Sequence, residues 1–66
     1  MNHADQKLAE TKRLLALCDK HLDEGNIEKA KEYLYLASNS NQEAFSAASK
    51  EIEKLNQKID RALNNP

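Results

Sequence analysis

Apolar and small residues recur along this chain at spacings of three and four. Ala4, Leu8, Thr11, Leu15, Cys18 and Leu22 form one helical stripe. Leu14, Leu17 and His21 widen that stripe on one side, so the first helix carries an unusually broad apolar face. A second stripe follows in Ile27, Ala30, Leu34 and Ala37, widened in the same way by Tyr33 and Leu36. Tyr35 points to the opposite side of that helix and is expected to be exposed. The third stripe, Phe45, Ala48, Ile52, Leu55, Ile59 and Leu63, is narrow and close to a two-position heptad seam.

Punctuation between the first two stripes is clear. Asn2 is a natural N-cap, and Asp5 falls in the first turn, where the helix dipole favours a carboxylate. The segment DEGNIEKA at 23–30 ends one helix and starts the next. Gly25 suits the left-handed position after a helix, Asn26 suits the following N-cap, and Glu28 suits the first turn beyond it. Helix 1 is therefore expected over about 3–24, with helix 2 beginning near 27. So short a connection makes the two helices antiparallel neighbours. Asn-Asn-Pro at 64–66 is expected to stop the last helix.

The Ser-Asn-Ser-Asn run at 38–41 is the ambiguous stretch. Ser and Asn compete with helix by bonding their own backbone. Ser40 is followed three residues later by Glu43, the capping-box pattern. Both features predict a turn, with helices over about 3–24, 27–38 and 41–63. The fold class is then all-α, a small three-helix bundle forming one domain over residues 1–66. Against this, residues 27–64 placed on one ideal helix keep Ile27, Leu34, Phe45, Ala48, Ile52, Leu55, Ile59 and Leu63 on a single face. The alternative is a helical hairpin with one long second helix, dimerising into a four-helix bundle.

Composition narrows the chemistry. Lys and Arg number 10 and Asp and Glu 11, for a net charge of −1, which argues against bulk attraction to nucleic acid. A single Gly and a single Pro among 66 residues favour helices throughout. Cys18 is the sole cysteine, so no internal disulfide forms, and a lone thiol fits a reducing compartment such as the cytoplasm. The opening MNHADQKLAE lacks the apolar core of a signal peptide, and the longest apolar run, LLALC at 14–18, is too short to cross a membrane.

Few residues point to reactivity. Cys18 and His21 lie one turn apart, but His3 is the only other histidine and a zinc site wants three or four ligands. They read as a core thiol and a boundary histidine. Asp23, Glu24, Glu28 and Glu32 cluster around the first turn without the spacing of a calcium loop, so they read as solvated charges serving the dipole. Lys50, Lys54, Lys58 and Arg61 form a basic stripe, interleaved with Glu51, Glu53 and Asp60 and lacking an aromatic platform. No catalytic group, cofactor site or metal site is expected.

Residues 11–44 resemble one tetratricopeptide-type helical hairpin. Leu14 and Leu17 in the first helix, Gly25 before the second, then Ala30, Leu34 and Ala37 match that motif, and GNIEKAKEYLYLA resembles its second half closely. Cys18 stands where the family has Gly, Ala or Ser, His21 replaces a tyrosine, and Gln42 replaces the closing proline. The resemblance implies a style of close helix packing and carries over no ligand-binding residue.

A small non-catalytic helical protein, an adaptor or regulator binding another protein or itself, is the expected function. Its expected interaction surface draws on Leu17, Tyr33, Tyr35, Leu36, Ile52, Leu55 and Ile59. The alternative is a weak binder of nucleic acid or an acidic partner through Lys50, Lys54, Lys58 and Arg61.

Overall fold

The computed structural model describes residues 2–64. It contains three helices: α1 (His3–Asp23), α2 (Ile27–Glu43) and α3 (Ser49–Asn64). Among the described residues there is no strand. The expected stop at Asn65 and Pro66 lies outside them.

Asn2 caps α1 as expected, its Oδ1 accepting from the Asp5 N–H at 2.8 Å. The other end closes in a Schellman turn. Asn26 N donates to His21 O at 2.8 Å and Gly25 N to Leu22 O at 3.0 Å, with Gly25 left-handed at φ 77°. Asn26 takes the N-cap place of α2 through its backbone carbonyl, which accepts from Ala30 N at 3.1 Å, while its side chain makes no capping bond.

The turn expected at 38–41 is not there. α2 runs through Ser38, Asn39, Ser40 and Asn41 to Glu43, and the chain reverses over 44–48. Ser38, Ser40 and Asn41 are each taken up by the fold, while Asn39 is exposed. The Ser38 hydroxyl donates back to Leu34 O at 3.0 Å. Ser40 and Asn41 are buried. The Asn41 amide binds across the turn: its Oδ1 accepts from Ala48 N at 2.8 Å and its Nδ2 donates to Ser49 Oγ at 3.1 Å. The capping box does not form either, because Glu43 ends α2 and reaches instead to α1. Its carboxylate lies 3.2 Å from His3 Nε2 and 3.4 Å from Lys7 Nζ.

The α2–α3 turn repeats the Schellman geometry without a glycine. Ser46 N donates to Asn41 O at 2.8 Å and Phe45 N to Gln42 O at 3.3 Å. Phe45 and Ser46 carry the left-handed backbone, at φ 55° and 59°. The Phe45 side chain, expected in the third stripe, is 86% exposed. Leu63, the last member of that stripe, is exposed as well.

The core is built where the first two stripes meet. Leu15, Cys18, Leu22, Ala30, Leu34 and Ala37 are buried together, with Ala48 and Ile59 closing from the α3 side. Thr11 joins them, its hydroxyl satisfied by Lys7 O at 2.8 Å. The small side chains at Ala30 and Ala37 let α1 and α2 share a long interface. α3 leans chiefly on α2 and touches α1 less. Of its apolar residues only Ile59 is buried; Ile52 and Leu55 are half-buried.

Candidate interaction surface

The position of α3 sorts the outer faces of the hairpin. Leu15, Ala16 and Asp19 of α1 line one groove with Leu55 of α3, and Lys58 donates to Asp19 Oδ1 at 2.6 Å and to Asp23 Oδ1 at 3.2 Å. Leu34, Tyr35 and Ser38 of α2 line a second groove with Asn56 and Ile59. By helical phase, Leu14, Leu17 and His21 fall on the flank of α1 that α3 leaves uncovered, and Tyr33 and Leu36 fall on the matching flank of α2. The two flanks adjoin: the His21 and Tyr33 rings stack with centroids 5.4 Å apart and planes 10° off parallel.

This face has a half-buried floor and an exposed crest. Leu14 and Tyr33 pack down onto the core. Leu17 is 36% exposed and Leu36 47%. The ring pair closes the end near the α1–α2 turn, with His21 Nδ1 3.5 Å from Glu24 Oε1 and, among the described residues, without a hydrogen-bond partner. Ion pairs close the opposite end. Lys7 Nζ lies 3.2 Å from Glu10 Oε2 as well as 3.4 Å from Glu43 Oε2. The Lys7 hydrogen bond holds the Glu10 carboxyl below its ordinary value, with the Ser40 hydroxyl adding to the effect. The His3 hydrogen bond and the Lys7 charge lower Glu43 likewise. Exposed Arg13 and Lys20 follow the α1 margin, and exposed Glu32 follows the α2 margin.

The seven residues expected to form one surface are thus divided. Leu17, Tyr33 and Leu36 share the open face. Tyr35 is 69% exposed on the other flank of α2, beside α3. Ile59 is 4% exposed and belongs to the core, with Ile52 and Leu55 packed against it. Leu14 and His21 complete the face and were not among the seven, although their spacing from Leu17 places them on its stripe.

The remaining chemistry-bearing residues are separately engaged. Cys18 is fully buried, and that burial pushes its thiol up, away from the reactive thiolate. Among the described residues no group of three or more His, Cys, Asp or Glu is placed to hold a metal ion. Lys58 is taken out of the basic stripe by its carboxylate partners, and its hydrogen bond to Asp19 raises its pKa most. Lys50, Lys54 and Arg61 stay exposed, with Glu53 beside Lys50 and Lys54. Among the described residues no helix is long and apolar enough to cross a membrane.

No family model matches the chain, and neither a curated protein nor a solved structure does.

Proposed function

We propose that this is a non-catalytic interaction protein that binds another protein through the face formed by Leu14, Leu17, His21, Tyr33 and Leu36. The observation that carries the reading is a pair of exposed leucines, Leu17 and Leu36, on the same flank of the hairpin as the stacked His21 and Tyr33 rings. The residues of this face suit an amphipathic helix laid across α1 and α2, anchored by apolar residues at helical spacing. One margin supplies orientation: Arg13 and Lys20 call for acidic residues, whereas Glu32 on the other already lies 3.8 Å from Lys29. Hairpins of the tetratricopeptide style, which this one resembles, stack on further helices through faces of this kind.

A Leu17→Glu/Leu36→Glu variant tests the reading, since both side chains already meet solvent and the core is untouched. Affinity capture with the parent and the variant in parallel, followed by titration of the recovered partner in purified form, is expected to show at least about a tenfold loss of affinity. An unaltered set of partners with unaltered affinities would overturn the assignment.

A further inference from the structure

The turn at 44–48 is an unusual place for a chain to reverse. It contains no glycine or proline, and its two left-handed positions are occupied by Phe45 and Ser46. L-residues adopt that backbone at a cost that glycine escapes. Ala44, Ala47 and Ala48, the rest of the turn, are the strongest of helix formers. The local sequence therefore prefers the straight helix that the fold denies it.

The apolar phases agree with that preference. If α2 and α3 were continuous, Phe45 would fall on the same face as Leu34, Asn41, Ile52 and Ile59. The Ala48 N–H, now held by Asn41 Oδ1, would find the Ala44 carbonyl instead. The packing register allows an exchange between copies, as it does for any antiparallel pair joined by a short turn. The groove between α2 and α3 is centred between Leu34 and Tyr35 on one helix and between Ile59 and Asp60 on the other. Those midpoints are equidistant along the chain from Ala47, inside the turn. Two straightened helices crossing antiparallel at Ala47 would reproduce between copies the α2–α3 contacts each copy now makes with itself.

We propose that the α2–α3 turn is a strained hinge, and that a second copy of this chain is the partner that releases it. In the exchanged dimer, 27–64 form one helix about 57 Å long, and each α3 lodges between α1 and α2 of the other copy. Phe45 explains the arrangement best. It is 86% exposed in the closed chain, and in the dimer it lies two residues from the two-fold axis, beside its counterpart, where both rings are covered. The open face of the hairpin is not used in this exchange, so the inference does not rest on the proposed function. It gives that function a second form, with two open faces on one rigid assembly.

The Lys58–Asp19 ion pair, 2.6 Å long, supplies the test. The chain is unfolded, refolded at millimolar concentration, fractionated by size with mass read from light scattering, and treated with a zero-length carbodiimide cross-linker. A mixture of isotopically light and heavy chains shows whether each Lys58–Asp19 link joins one copy or two. The expected result is a fraction at twice the 7.5 kDa chain mass in which the link is between copies. Phe45→Gly/Ser46→Gly relaxes the closed turn and weakens the straight helix, and is expected to raise the dimer dissociation constant at least about a hundredfold. Leu17→Glu/Leu36→Glu is expected to leave the dimer intact. A parent chain that stays monomeric, a dimer whose Lys58–Asp19 links are all within one copy, or a glycine variant that dimerises like the parent would each overturn the proposal.

Discussion

Replacing Phe45 with glycine is expected to stabilise the monomer, although it deletes the largest side chain in the turn. The two Schellman turns provide the comparison, since they share a hydrogen-bond pattern and differ in the residue at the left-handed seat. At the first, Gly25 sits at φ 77°, and a Cβ added there would meet no atom within 4 Å. At the second, Phe45 sits at φ 55° with its ring in solvent. The left-handed backbone costs an L-residue about 1–2 kcal/mol. Introducing glycine returns roughly 0.4–1 kcal/mol of that through the greater entropy of the unfolded chain. The ring contributes little burial in the monomer, so Phe45→Gly should gain about 0.5–1 kcal/mol, or roughly 2–8 °C in Tm for a domain of this size. Gly25→Ala should lose about the same amount, because its cost arises from the backbone alone. Thermal unfolding followed by far-UV circular dichroism at low micromolar concentration reads both. If Phe45→Gly proved neutral or destabilising while Gly25→Ala lost stability, the turn at 44–48 would not be strained and the reasoning would fail.

Other expectations follow from the core, the turn and the ion pairs. Leu15→Ala and Leu34→Ala each remove a buried side chain and are expected to cost about 2–5 kcal/mol, measurable by urea denaturation; a variant that melts like the parent would refute its place in the core. Asn41→Ala orphans the buried Ala48 N–H and should cost about 1–3 kcal/mol, whereas Asn39→Ala, on the exposed side of the same run, should cost far less. The Glu10 and Glu43 carboxyls titrate below their ordinary value of 4.5 in the folded chain. Their contribution to stability is therefore fully present above that value and is lost as pH falls through the lower folded pKa. An acid titration of the melting temperature should show this loss, and Glu43→Gln should reduce it; an identical acid profile in Glu43→Gln would contradict the pairing with His3 and Lys7.

The hairpin was legible in the sequence because its signals are local and agree with one another. Among the described residues Gly25 is the one glycine in a left-handed seat, and the stripes on either side share a spacing that meets across the turn. The all-α class follows from the stripes, but the second and third share one phase, so a third helix is expected only from the Ser-Asn-Ser-Asn run and the Ser40/Glu43 pattern. Three helices are present although neither marks the turn. The second turn was misplaced for a physical reason. Ser38 and Asn41 look like helix breakers, yet one bonds back to Leu34 and the other spends its amide across the turn, on Ala48 and Ser49. The true reversal falls on Phe45 and Ser46, which carry no turn signal, and tertiary packing overrides the local preference for helix. The same displacement moved Phe45 out of the core. On the surface, Leu17 and Leu36 were legible as an excess of apolar width. What separated them from Ile52, Leu55 and Ile59 is the side on which α3 docks, which no local pattern encodes.

On the proposed function, a partner protein binds where α3 does not. The most direct measurement is the footprint of a bound partner on the isotopically labelled chain, read residue by residue from amide and methyl chemical shifts. Shifts are expected to concentrate on Leu14, Leu17, His21, Tyr33 and Leu36 while Lys50, Lys54 and Arg61 stay unmoved. A footprint centred on the basic stripe of α3, with the open face silent, would place the binding surface on α3 instead.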